Sequence, residues 1–493
     1  MTTGMYTVHP KIETFLKEPI PLFIDGEWRV SLDNTLFESE NPATGEVLAQ
    51  VHQASKEDVH DAVEAAAAAF ETGAWPTMKE KERAKLMFTL ADLMERDFDV
   101  LAQLDALDNG KSIHDMTGND LPSAIDNVRY FAGWTTKNTG QTIPVSSASL
   151  NYTRHEPVGV VGQIIPWNFP IMMALWKIAP AIATGCTVVL KPAEQTPLSA
   201  IYLTKLIAEA GFPKGVINII NGSGKVTGDA LVKHPKVDKI AFTGSTRTGQ
   251  QLMKEAANSM KRITLELGGK SPNIILPDAD LEKAIPGVFN GIMVNQGEVC
   301  CAGSRVFIPE DIFDEVVAKL KTYAENLKLG HGLDPDTEMG PLVSKQQLDI
   351  VTSYIRKGKE EGAKLITGGE TKEQGYFVSP SIFTETKDDM SIVREEIFGP
   401  VVVAIPYQTV DEVVERANNS PYGLAAGLWT ENVKQAHQVA SKLKAGSVWV
   451  NTYNVTDAAV PFGGYKASGF GREMGSYALE NYTEVKSVWI DLE

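Results

Sequence analysis

Cysteine is scarce in this chain. There are three among 493 residues, two of them adjacent at Cys300 and Cys301. So few thiols make no disulfide framework, which points to a reducing compartment and a cytoplasmic protein. Positive charge is also in short supply. The formal net charge is −17. Nucleic acid and anionic membranes both recruit basic patches, so neither is an expected partner. An unbroken apolar run is missing too. Residues 158–190 carry one charge, Lys177, but Pro166, Pro170 and Pro180 interrupt them and Trp167-Asn168 sits inside. A membrane span needs a continuous helix. The stretch is read instead as strand, turn, helix and a second buried strand. Residues 1–21 include His9, Lys11, Glu13, Lys17 and Glu18 and no apolar core, so no secretory leader is expected.

Several catalytic patterns are absent. The eight histidines are scattered, with no His-x-x-x-His and no Cys-x-x-Cys, so no metal is expected. No Gly-x-Ser-x-Gly elbow supports a serine triad. The Gly-x-Gly-x-x-Gly spacing of dinucleotide sites is missed narrowly: Asn221-Gly222-Ser223-Gly224 is followed by Gly228, one residue late.

The length exceeds what one hydrophobic core usually serves, so two or more domains are expected. Residues 22–52 are predicted as short strands and 56–138 as mostly helical. From 157 strands and helices alternate: strands at 158–165, 186–190, 216–220 and 239–243, helices at 171–182, 198–210, 228–233 and 249–257. Such alternation predicts an α/β protein with an open parallel sheet covered on both faces. A second alternating region begins near Ser271, with the boundary near Gly268-Gly269. The tail at 484–492 alternates as a strand. It pairs either with another subunit or at the edge of its own sheet.

The run Gly297-Glu298-Val299-Cys300-Cys301-Ala302-Gly303-Ser304-Arg305 places a thiol behind a turn, and Leu265-Glu266-Leu267-Gly268-Gly269-Lys270 lies upstream. A thiol and a separate carboxylate equip a chain for covalent chemistry on a carbonyl. The bland alternative is an inert buried pair of cysteines. Ile165-Pro166-Trp167-Asn168-Phe169-Pro170 forms a rigid turn that aims one amide, which suits an oxyanion. Lys191 and Glu194 follow a strand where a ribose diol is held; the alternative is a solvated loop. Phe242-Thr243-Gly244-Ser245-Thr246 opens a helix that Ser245 or Thr246 would cap, presenting its positive end to phosphate. Glycine loops before helices also arise for structural reasons alone. Glu395-Glu396-Ile397-Phe398-Gly399-Pro400 offers a further carboxylate and ring at a strand start.

Together with Phe23-Ile24-Asp25-Gly26-Glu27-Trp28, Asn41-Pro42-Ala43-Thr44-Gly45, Pro461-Phe462-Gly463-Gly464-Tyr465-Lys466 and Gly471-Arg472-Glu473, these runs resemble the aldehyde dehydrogenase superfamily over nearly the whole chain. They are most similar to its broad-specificity, NAD-dependent homotetrameric group, which includes mitochondrial and cytosolic retinal-oxidising forms. The resemblance implies a Rossmann-like nucleotide-binding domain (1–138 and 157–268), an α/β catalytic domain (269–467) and a small β-flap for oligomerisation (139–156 and 483–493). It implies Cys300 as nucleophile, Glu266 as general base, Asn168 as oxyanion donor, and Lys177 and Glu473 as a proton relay. NAD would lie against Ile165, Trp167, Lys191, Glu194, Gly224, Gly244, Ser245, Glu396 and Phe398, with NADP less favoured because Glu194 meets the ribose. Phe169, Met173, Trp176, Val294, Cys301, Thr456 and Phe462 would wall a roomy apolar tunnel for the aldehyde substrate. The implied partner is the chain itself, as a homotetramer built as a dimer of dimers. Two other functions are weighed: a coenzyme A-acylating relative, and a catalytically silent NAD-binding protein on the same fold.

Overall fold

Short runs of β-branched and apolar residues, each followed by helix-forming sequence, make the first sheet. The computed structural model describes residues 6–493; the first five residues of the amino-terminal segment lie outside the described residues. Five strands form the parallel part: β1 (Val160–Ile164), β2 (Thr187–Lys191), β3 (Ile217–Ile219), β4 (Lys239–Thr243) and β5 (Arg262–Glu266). Their order across the sheet is β3-β2-β1-β4-β5. The chain builds outward from β1 in one direction, then returns to β1's other side. At that reversal the connections after β1 and β4 diverge and leave a crevice at the strands' carboxyl ends, where open α/β sheets bind ligands. Strand β5 was not anticipated from the sequence, although it ends on Glu266.

The helix after β1, α1 (Pro170–Thr184), is buried at every position. That explains why residues 158–190 look membrane-like: a helix apolar all round belongs in a core. Pro170 starts it where no intrahelical N–H is needed, and Gly185 ends it with φ 101°. Among the described residues no helix is long and apolar enough to cross a membrane. The helix after β4, α2 (Thr246–Ala257), is capped by Ser245, whose side chain accepts from the Thr248 N–H at 3.2 Å.

The second sheet holds β6 (Pro272–Ile275), β7 (Arg305–Pro309), β8 (Lys364–Thr367), β9 (Ser381–Thr384), β10 (Val401–Tyr407), β11 (Ala425–Trp429) and β12 (Ser447–Val450). Its order is β8-β9-β10-β7-β6-β11-β12, parallel except for β8. Residues 267–271 cross from β5 of the first sheet to β6 of the second. The cysteine loop lies between α3 (Leu281–Met293) and β7.

The carboxyl-terminal strand Thr483–Asp491 pairs antiparallel with Ser149–Pro157 of its own chain, in register from Thr483↔Pro157 to Asp491↔Ser149. It is the outer strand of a three-stranded sheet completed by Thr142–Ile143. The tail therefore pairs within its own chain and is the outer strand of that small sheet.

Candidate active site

The cysteine loop leaves α3 through consecutive left-handed residues, Asn295 (φ 49°), Gln296 (φ 57°) and Gly297 (φ 71°). Such backbone is costly outside glycine and persists only where its surroundings fix it. At Gly297 a side chain is impossible, because a Cβ would lie 2.3 Å from the Gly399 carbonyl oxygen. The Asn295 amide donates to the Asn168 carbonyl at 2.9 Å, and the Asn168 amide donates to the Glu298 carbonyl at 2.8 Å. Each asparagine thus ties down the other's loop. Lys111 adds a third tie: its buried Nζ donates to the Asn168 carbonyl (2.9 Å) and to Asp120 Oδ2 (2.6 Å), and lies 4.1 Å from the Phe169 ring centroid. An amide nitrogen carries two N–H groups. Glu298 takes one from Asn168, which leaves the other for the cavity that Asn168 lines.

That cavity measures about 340 Å³ and brings together Asn168, Cys300, Glu266, Glu396 and Phe398. Cys300 is half-buried. Contact with the Cys301 side chain, burial and the nearby Glu396 carboxylate push its thiol well above the usual range, so the resting group is protonated. Glu266 is 6% exposed, and its Oε2 has no hydrogen-bond partner among the described residues. Burial, then the charges of Glu473 and Cys300, push its carboxyl well above the usual range, against Lys177 and Arg472. A carboxyl so raised suits proton transfer near neutral pH. Lys177 Nζ and Glu473 Oε1 form a buried ion pair at 2.6 Å.

Burial also raises Glu396, to about 7; its Oε1 accepts the Gly269 N–H at 3.0 Å. The next ring, Phe398, sits at φ 59° and meets Trp167 edge-on at 5.2 Å. Gln347 holds that turn by donating to the Phe398 carbonyl at 2.7 Å.

Toward the far end of the crevice, Glu194 accepts the Gly224 N–H at 3.3 Å. Burial lowers Lys191 to about 8, and its Nζ donates to the Pro192 and Gly222 carbonyls, each at 2.6 Å. Its ammonium is thus turned toward backbone rather than toward Glu194. The Ile165 N–H is taken by the Lys191 carbonyl (3.2 Å), and the Trp167 carbonyl by Asn109 (2.9 Å) and Thr196 (3.0 Å). Gly244 borders the cavity itself, apart from Gly224.

Phe169, Met173, Trp176, Val294, Cys301, Thr456 and Phe462 all line the cavity. Sequence reasoning missed Met172, Asn119 and Asn454 on the same wall, and the supports Lys111, Asn295 and Gln347. A lysine within Asn109-Gly110-Lys111-Ser112, just after a buried helix, was the one available signal for Lys111. The scattered histidines also come partly together: His60, Glu64 and His234 lie within 4.8 Å of one another. Lys236 occupies that group, through its Nζ on Glu64 and its backbone N–H on His234 Nδ1.

Residues 28–488 match the model of the aldehyde dehydrogenase family. The "Putative aldehyde dehydrogenase DhaS" of Bacillus subtilis (strain 168) is 64% identical over the whole of both chains. The mitochondrial aldehyde dehydrogenase of Homo sapiens is 50% identical over 95% of this chain and 91% of its own. The solved NAD+ complex of Bacillus cereus aldehyde dehydrogenase has 59% identity and a TM-score of 0.98, covering 99% of each chain.

Proposed function

The chain belongs to the aldehyde dehydrogenase family, and on that premise we propose how its residues share out the work. It is an NAD-dependent enzyme that oxidises aldehydes to carboxylic acids. The crevice suits the dinucleotide. Ser245 opens the first turn of α2, Gly224 has open space around it, and Glu396 is a buried carboxylate with a backbone donor on one oxygen. Glu194 and Lys191 would take the adenosine ribose, and Glu396 with Phe398 the nicotinamide end.

The Cys300 sulfur adds to the aldehyde carbon, and its proton passes to Glu266. The developing oxyanion rests on the free Asn168 N–H and the backbone N–H of Cys300. Bound NAD supplies the hydride acceptor that converts this adduct to a thioester. Glu266 passes that proton on before hydrolysis; as a carboxylate again it takes one proton from water as the water attacks the thioester, the C–S bond breaks, and the Cys300 sulfur takes up the water's second proton as the product leaves as a carboxylate. Glu473, paired with Lys177, accepts each proton that Glu266 must shed, once after acylation and once after hydrolysis.

The convergence of Cys300, Asn168 and Glu266 on one cavity carries this reading. A poised carboxylate hydrolyses the thioester and so wastes it as an acyl donor, which favours hydrolysis over transfer to coenzyme A. Mixing protein, aldehyde and NAD without coenzyme A is expected to give sustained NADH absorbance; a strict need for coenzyme A would overturn the assignment. Glu194 faces a 2′-phosphate as a like charge, so NAD is expected to exceed NADP in kcat/KM.

Val294 and Thr456 widen an apolar tunnel and favour medium and long aliphatic, aromatic or retinal-like aldehydes. Residues 1–138 with 157–268 would hold the cofactor, and 269–467 the substrate. The exposed outer strand Thr483–Asp491, with Val485 and Trp489 outward, supports assembly with further copies into a homotetramer. The acidic, cysteine-poor composition supports a cytoplasmic home.

A further inference from the structure

Residues 262, 264 and 266 of β5 share one face, because side chains alternate along a strand. Arg262 is exposed at one end of this line and Glu266 is buried at the other. Ile263 and Leu265 face the hydrophobic core on the opposite side. In the parallel pairing Lys239 of β4 stands opposite Arg262, which puts it on the polar face. Lys239 is 1% exposed. Its Nζ donates to Thr264 Oγ1 at 3.0 Å and lies 5.3 Å from the Tyr482 ring centroid. Neither contact neutralises an ammonium ion, and no carboxylate lies within ion-pair distance among the described residues.

We propose that Lys239 is a proton-carrying residue beyond the Lys177–Glu473 pair, and that it connects Glu266 to solvent along the polar face of β5 through Thr264 to the surface at Arg262. The proposal rests on the reading of Glu266 as the base that activates water. Glu473 links the two halves: its charge bears on both Glu266 and Lys239, and its Oε2, like that of Glu266, has no partner among the described residues. Arg262 closes the outer end. Its guanidinium bonds the Thr483 carbonyl and pairs with Glu484, at the entry to the carboxyl-terminal strand.

The groups facing Lys239 are Glu473, Lys177, Cys186, Arg262 and the Tyr482 ring. Burial outweighs Glu473 and lowers its ammonium to about 7, so neutral and charged forms are both accessible at working pH. The balance is simple. A proton taken from the attacking water by Glu266 moves to Glu473, a neutral Lys239 receives it, and Lys239 returns it to water. No electrons move.

The test separates proton carriage from packing. Lys239→Met keeps the length and apolar stem but cannot titrate; Lys239→Arg keeps the charge but cannot lose it. Both are expected to form the acyl-enzyme at the wild-type rate, as a normal first-turnover burst of NADH. Its hydrolysis, followed by rapid quench and intact mass, is expected to slow by about tenfold in both, within the span of general acid–base effects. KM for the aldehyde should stay unchanged, and millimolar imidazole should restore the rate. Hydrolysis within twofold of wild type in both variants would overturn the proposal. So would a loss that Lys239→Arg repairs, or one that imidazole leaves untouched, since either outcome marks a charge or packing role. Failure of Glu266 itself as base would show separately, as normal turnover in Glu266→Gln.

Discussion

Adding one methyl group at Gly268 is expected to damage cofactor use while sparing the fold. A Cβ there would lie 2.0 Å from Glu396 Oε2 and 2.7 Å from Oε1. Both contacts are too close to persist, and the partner is the end of a side chain rather than backbone. The carboxylate therefore swings aside and gives up the 3.0 Å bond from the Gly269 N–H. A hydrogen bond to a charged group contributes about 1.5–3 kcal/mol. At 1.4 kcal/mol per decade this corresponds to roughly a 10- to 100-fold rise in KM for NAD, if Glu396 holds the nicotinamide ribose. Initial rates against NAD at saturating aldehyde measure it, and an unchanged thermal midpoint confirms that the fold is intact. The decisive arm is a cycle with Glu396→Ala. Once the carboxylate is gone, Gly268→Ala should cost less than about twofold more, because groups in contact are not additive. Full additivity, or an unchanged KM in the single variant, would refute the reasoning.

Cys300→Ala should abolish oxidation while leaving NAD binding near normal by fluorescence titration, and Cys301→Ala should retain substantial turnover; a dead Cys301→Ala with an active Cys300→Ala would reverse the assignment. The Glu266 carboxyl is held above its ordinary value, so its basic form grows as pH rises through that raised pKa. Hydrolysis of the acyl-enzyme should therefore accelerate with pH, and Glu266→Gln should flatten the profile and accumulate the acyl-enzyme by intact mass. In the tunnel each buried methylene contributes up to about 0.8 kcal/mol. Longer aldehydes should then exceed acetaldehyde in kcat/KM, and Val294→Phe with Thr456→Phe should reverse that order; a native preference for acetaldehyde alone would defeat the idea.

The sequence makes some of this architecture legible and hides the rest for physical reasons. Leu198–Ala210 and Lys239–Thr243 occupy the residues expected of them, because a helical stretch and a short strand with an apolar centre, Ile240-Ala241-Phe242, both announce themselves locally. Strand β11, Ala-Ala-Gly-Leu-Trp, does not. Ala425, Ala426 and Gly427 are poor strand formers, and Gly427 is there because a Cβ would lie 2.5 Å from Asn273 Oδ1 and 2.5 Å from Tyr453 Cε2. Tertiary crowding chose small residues over strand propensity. Within the site, Cys300, Glu266 and Asn168 sit in distinctive runs and could be named. Lys111, Asn295 and Gln347 could not, because their partners are distant in sequence: Asn168 is 57 residues from Lys111 and 127 from Asn295, and Phe398 is 51 from Gln347. A lone polar residue carries no sign of the carbonyl it will meet.

The wholly buried helix α1 has a consequence for biosynthesis. Its fifteen residues leave the ribosome well before Tyr482 and the rest of the carboxyl-terminal sequence that helps to enclose them. Earlier helices, Leu121–Ala132 above all, cover much of it, but until the carboxyl-terminal sequence arrives the remaining face of this nearly uncharged segment stays open beside two incipient strands, a combination that favours aggregation during slow folding. Truncations ending before Tyr482 should accumulate as insoluble protein rather than as soluble fragments.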